Sequence, residues 1–259
     1  LFWLIGGVLL VFIALPLLAL VLHPTLDDLK LVAAMSDVRD AILLSLGAAF
    51  TSTLIATLFA VPLAYVLARL QFRGKSVVEA VVDLPMAIPH TVAGIALLLV
   101  FSRDGWLGAP LSHFGLEFWG NFPAIVLAMS YVGLPYAVSA ARGGFEAVDV
   151  QIERAARIQG ATPWDVFRQI TLPLARHGIL TGLTLSFARA IGEFSAVVPL
   201  AYYPMTATIR IYDLFLESGL RQSVPASVLF LVVVLALFWL LRLLASPRRR
   251  RTTPPAEPT

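Results

Sequence analysis

Arg189 and Glu193 stand four residues apart in the otherwise apolar stretch 178–200. On a helix that spacing puts both side chains on one face, where they can pair. Arg189 lies twelve residues beyond His177, about 18 Å at 1.5 Å per residue. That is near the middle of a bilayer core roughly 30 Å thick. An arginine at such depth costs about 2.5–3.5 kcal/mol on insertion scales, so it must face protein or an aqueous cavity. Two uses are open. The face can border a translocation path, together with Ser195 and Pro89, or the pair can pack one helix against another. Direct contact with an anion is disfavoured, because Glu193 offsets part of the attraction that Arg189 exerts.

Other chemistry is not expected. Gly74-Lys75-Ser76 resembles the end of a phosphate-binding loop, but that motif needs a glycine five residues before its second glycine. Arg69 occupies that position. No loop gathers histidines and carboxylates for a metal. His113 and His177 fall on opposite sides of a membrane in the topology below, so no catalytic triad is suggested. With no cysteine in the chain, thiolate sites and disulfides are excluded. No catalytic residue, metal or cofactor is expected, and energy for any work must come from a partner.

Positioning a buried charge pair of this kind calls for membrane helices, and the composition supplies them. Of the 259 residues, 59% are hydrophobic and 14% charged, against about 25% charged in soluble domains. Mean hydropathy is +0.85. A soluble enzyme, a disordered chain and a nucleic-acid-binding domain are excluded. The long continuous apolar runs also argue against a membrane barrel, whose strands alternate over about 10 residues. The fold class is all-α integral membrane, with about six transmembrane helices at residues 1–22, 40–70, 77–101, 122–141, 178–200 and 224–245. The first is read as a retained helix, since it lacks a small-residue cleavage site and a basic leader. Pro85 and Pro89 break the third span and Pro135 the fourth. His90, beside the Pro89 break, is read as structural, with a pore role as the alternative. Glu79 and Asp83 are read as solvated near the inner surface.

Basic residues orient the chain. With the C-terminus inside, 13 of the 19 Lys and Arg are cytoplasmic and five external, with Arg189 within a span. Both termini are then cytoplasmic in a multi-pass protein of the cell membrane. The run Arg248 to Arg251 reads as an anchor at the anionic inner leaflet, followed by a disordered tail. Three connecting segments are long enough to matter: external residues 102–121, cytoplasmic 142–177 and external 201–223.

The cytoplasmic segment predicts two short helices. Asp149 caps the first, which runs to Gln159, and Gly160 supplies the left-handed residue that ends it. Thr162 caps the second, with Pro163 at its first position and Asp165 three residues after the cap. The second helix runs to about Ile170, and Pro173 marks a break before the next span. Ile152, Ala155 and Ala156 share one face, with Glu153, Arg154 and Arg157 pointing elsewhere. Such a pair either docks a cytoplasmic partner or lies on the bilayer surface.

The residues of this segment resemble the coupling loop of ABC importer permeases, a pattern of Glu-Ala-Ala, three residues, Gly, nine residues, Ile-x-Leu-Pro. Here Ala155, Ala156, Gly160, Ile170, Leu172 and Pro173 match, while Arg154 stands at the Glu position and Glu153 precedes it. The segment Arg189-Ala190-Ile191-Gly192-Glu193-Phe194 is similar to permeases for molybdate, tungstate and sulfate. Residues 201–207 and 84–94 resemble the molybdate/tungstate branch. The resemblance implies the type I importer permease fold over residues 39–245, preceded by a first membrane helix and external loop (1–38) and followed by a basic, Pro-rich cytoplasmic tail (246–259). It also implies two permease copies forming a pore, two cytoplasmic ATPase subunits on the coupling loops and an external binding protein that delivers the oxyanion. ATP binding then moves the loops and switches the pore from inward- to outward-facing. A sulfate or thiosulfate permease is the alternative within the class. A stand-alone secondary anion transporter is the alternative outside it, opposed by the coupling-loop spacing and the lack of a visible inverted repeat.

Overall fold

A computed structural model describes residues 2–245, with side chains through Leu240. The arginine-rich tail lies outside the described residues. Helices follow one another in the order α1 (Phe2–Leu22), α2 (Leu26–Ala34), α3 (Ser36–Arg69), α4 (Lys75–Ala87), α5 (His90–Phe101), α6 (Gly108–Ser112), α7 (Phe122–Glu146), α8 (Val150–Ile158), α9 (Pro163–Val166), a π-helical turn at Phe167–Thr171, α10 (Leu172–Ile191), α11 (Val197–Leu200), α12 (Ala207–Ser218) and α13 (Leu220–Ala245).

Helix α7 is the centre of the molecule. It lies between α3 and α10 and packs extensively on both. Of its apolar window 61% is buried, whereas none of α1 is. Small residues allow the close approach that membrane helices rely on in place of a hydrophobic drive. A Cβ built on Gly178 of α10 would come within 2.4 Å of the Gly144 Cα on α7, so neither position tolerates a side chain without separating the helices. Two main apolar clusters fill the bundle. One, around Ile125, Met129, Phe187, Leu200 and Ile209, occupies the half that holds the start of α7. The other, around Leu67, Val138, Phe145 and Ala175, occupies the half where α3 and α7 end.

Among the described residues, four helices are long and apolar enough to cross a bilayer: α1, α3, α7 and the part of α13 up to Leu240. The bent pair α4 and α5, meeting at 113°, makes a fifth when counted as one span. The third expected span is therefore broken, with the bend at Ile88 and Pro89. Pro85 itself lies inside α4 and is buried. The fifth expected span is also divided. Helix α10 ends at Ile191, a non-helical stretch follows, and α11 resumes at Val197. Pro135 does not break the fourth, because α7 runs from Phe122 to Glu146 with this proline buried in its packed interior.

Two expectations for the connecting segments are corrected. Residues 201–223 are not an open loop. Helix α12 occupies most of them, its Ile209 and Leu214 buried against the bundle, and Gly219 ends it with φ +62° before α13 begins at Leu220. Pro173 does not end the second cytoplasmic helix either. The chain passes through the π turn directly into α10, with Pro173 in its first turn. In a regular helix the proline ring crowds the carbonyl four residues back. The Leu172 N–H instead reaches the Phe167 carbonyl, and the wider turn makes room.

Candidate functional site

The segment 142–177 folds as its capping residues dictate. Asp149 accepts the Gln151 N–H at 2.8 Å and starts α8. Gly160 has φ +92°, the left-handed conformation that side chains disfavour. Thr162 and Asp165 form a reciprocal capping box at the start of α9. These bonds span three residues or fewer, which is why local sequence was sufficient to place them.

The pair exposes apolar side chains among basic ones. Ile152, Ile158 and Trp164 are 48%, 87% and 65% exposed, and Arg154, Ala155, Arg157 and Arg168 are exposed beside them. Ala156 and Ile170 are half-buried, as is Leu172, and Pro173 is exposed. Glu153 departs from the expectation that it points away with the arginines. It is 2% exposed, because its Oε1 accepts from Arg69 Nη2 at 2.8 Å, Arg69 Nε at 3.1 Å and Thr171 Oγ1 at 2.9 Å. Two tiers of aromatic contacts extend the attachment: Trp164 stacks on Phe167, and Phe167 meets Tyr65 of α3 edge-on at 4.8 Å. Glu79, read as solvated, pairs with Arg142 at 2.7 Å and joins α4 to the end of α7.

A second polar cluster forms where the helices are broken. Arg189 pairs with Glu193 at 2.6 Å, at the spacing read from sequence. Arg189 Nη2 also meets His90 Nε2 at 2.6 Å. A guanidinium only donates, so His90 Nε2 is the acceptor in this contact. Glu193 Oε1 accepts the Ala196 N–H at 2.8 Å, and the Glu193 carbonyl accepts from Thr208 Oγ1 at 3.0 Å. Arg189 and Glu193 together thus tie the break between α10 and α11 to the break between α4 and α5, through His90, and to the start of α12, through the Glu193 carbonyl. Gly94 permits this convergence, since a Cβ there would lie 2.6 Å from the Ala196 carbonyl oxygen. Glu193 is buried and Arg189 partly exposed, with side-chain exposures of 2% and 23%. Pro89 is exposed and Ser195 half-buried. His90 was outside the residues singled out by charge and depth. Its position directly after the proline break was the available signal.

Helix α3 reaches both ends of the bundle. Arg69, at the end of α3, contacts the 142–177 segment, whereas Asp37, near its start, pairs with Arg210 of α12 at 2.7 Å. Helix α3 has 34 residues, about 51 Å at 1.5 Å per residue. The segments 142–177 and 207–218 therefore lie at opposite ends of the bundle. At the latter end, the Tyr202 hydroxyl donates to Asp213, and this bond together with burial pushes the phenol up to about 12.

Residues 60–251 match the family described as "Binding-protein-dependent transport system inner membrane component". The chain belongs to that family. Among inner membrane components of this kind, it is 42% identical to the molybdate/tungstate transport system permease protein of Thermococcus kodakarensis, covering 93% of this chain and 94% of that one. It is 40% identical to the protein of the same description from Pyrococcus abyssi, covering 93% of both. The fold matches a bacterial ABC transporter involved in the import of the acidic polysaccharide alginate, with TM-score 0.73 and 20% identity over 97% of this chain and 96% of that chain. The type I importer permease fold read from the sequence is the observed one, and the chain is a multi-pass membrane protein.

Proposed function

We propose that this chain is the pore-forming permease subunit of an ATP-driven importer for molybdate or tungstate. Two copies form the pore, two cytoplasmic ATPase subunits supply the energy and an external binding protein delivers the oxyanion. The observation that carries the reading is the exposure of Ile152, Ile158 and Trp164 on a helix pair held to the bundle by a buried ion pair. Apolar groups on a rigid, anchored surface favour a protein partner over loose contact with lipid headgroups. In this reading residues 142–177 are cytoplasmic, which the distribution of basic residues supports; with six spans both termini are cytoplasmic as well, and α12 faces outward. The chain crosses the membrane six times, with α10 as the crossing that carries Arg189.

The cluster of His90, Arg189 and Glu193 borders the pathway at the helix breaks, where non-helical backbone is tolerated because it is buried in protein or lines a cavity. Its ion pair is internally compensated, which suits an element that holds the pore wall rather than one that retains an anion. Affinity then resides in the binding protein, and the pore releases what it receives.

The test is import into proteoliposomes holding the permease with its ATPase subunits inside and the binding protein outside. ATP-dependent uptake of molybdate or tungstate, competed weakly by sulfate, is expected. Uptake that persists without ATP places the chain among stand-alone anion transporters. Preferential uptake of sulfate moves the cargo to that oxyanion and leaves the architecture standing.

A further inference from the structure

Helix α8 exposes two isoleucines, yet almost nothing apolar holds it. Ile152 and Ile158 face outward, and Glu153 is its one buried residue. The attachment of α8 to the membrane helices therefore concentrates on a single carboxylate. That carboxylate receives three donated bonds on one oxygen, two of them from Arg69, the last residue of α3. Arg69 Nη2 also donates to the Val148 carbonyl at 3.0 Å, in the turn between α7 and α8. Thr171, the third donor, is fully buried in the π turn that leads into α10.

We propose that Arg69 is a positioning residue for transport: it converts displacement of α8 into movement of α3. The inference rests on the reading of residues 142–177 as the surface that meets an ATPase subunit. Arg69 touches neither that partner nor the transported anion. Its geometry suits transmission because a guanidinium fork bonded to two acceptors resists both sliding and rotation. A buried ion pair contributes little net stability against an apolar replacement but fixes one arrangement. The side chains of Arg69 and Glu153 are 11% and 3% exposed, so water offers no substitute when α8 is pushed. The aromatic contact of Phe167 with Tyr65, one helical turn earlier on α3, gives the same helix a second point of purchase.

The test uses the complete complex of permease, ATPase subunits and binding protein in proteoliposomes. Molybdate uptake is measured per ATP hydrolysed, for the unaltered protein and for Arg69→Met, Arg69→Lys, Thr171→Val and Arg73→Met. Arg73 is exposed in the loop just after α3 and controls for loss of basic charge. Arg69→Met should retain its ATPase subunits but lose about tenfold in uptake per ATP, within the usual span of coupling between sites. Arg69→Lys should recover part of the loss, because one ammonium reaches Glu153 but cannot reproduce the fork. Arg73→Met should match the unaltered complex. An unchanged ratio in Arg69→Met overturns the proposal, since a merely structural role alters yield and melting temperature without altering uptake per ATP in the surviving complex. Where Arg69→Met yields no folded complex, Thr171→Val decides: a fall of about threefold, the scale of one lost bond, supports the proposal, and an unchanged ratio refutes it. If the unaltered permease itself fails to retain ATPase subunits, the docking surface is wrong.

Discussion

Arg189 and Glu193 allow a sharp test of whether the intramembrane pair holds the wall or serves the cargo. Replacing Arg189 with Met leaves a carboxylate that is 2% exposed with only the Ala196 N–H on its side chain. Removing one partner of a buried pair typically costs about 3–5 kcal/mol. The partial exposure of Arg189 lowers the expected value to about 3 kcal/mol by that scale. Replacing Glu193 with Gln is milder, because Gln keeps an acceptor for Ala196 and Arg189 retains both solvent contact and His90. About 1 kcal/mol, one net hydrogen bond, is expected. The double variant has neither charge and should lose little more than Glu193→Gln alone. The bond to His90 is lost in both Arg189 variants and so cancels in the cycle. A coupling of about 2–3 kcal/mol follows, against additivity within about 0.5 kcal/mol for independent sites. Unfolding in detergent, followed by heat or denaturant, measures all four corners. Equal costs for the two single changes, or additivity within that error accompanied by lost transport, would refute the structural reading and make the pair part of the pathway surface.

Gly160→Val should leave insertion intact and lower uptake per ATP, because nothing lies within 4 Å of its Cβ position and only the φ of +92° is violated; Gly160→Asn should be tolerated, and normal coupling in the Val variant would remove the turn from the mechanism. Gly178→Val should abolish stable protein, since even a methyl group would meet the backbone of α7; normal yield and melting temperature in detergent would show that the crossing can open at little cost. A cysteine at Ser218 should react with an impermeant thiol reagent applied outside intact cells, and one at Gln159 should not; the reverse pattern would invert the orientation. Thr162→Ala should weaken α9 by about 1 kcal/mol, the usual value of an N-cap, and increase hydrogen exchange across residues 162–167.

What the sequence determined by itself was composition and everything spanning a single helical turn. Its low charge and long apolar runs required membrane helices, since only closed backbone hydrogen bonding survives in lipid. The Asp149 cap, the left-handed Gly160, the Thr162–Asp165 box and the i, i+4 pair Arg189–Glu193 were legible because each depends on neighbours no more than four residues away. The broken third span was legible because proline acts on its own turn. Tertiary structure alone decided the rest. Glu153 looked like a solvated charge beside two arginines, and only the arrival of Arg69, 84 residues away, made it the buried anchor of α8. His90 looked like a lone histidine beside a kink until Arg189, 99 residues on, was folded against it. Pro135 and Pro173 were read as breaks because local rules price a proline without its surroundings, whereas buried packing and a π turn carry the helix through. Residues 201–223 read as a loop because polar and charged residues cluster there, and their apolar face is buried only where the folded chain brings α3 and α13 against it.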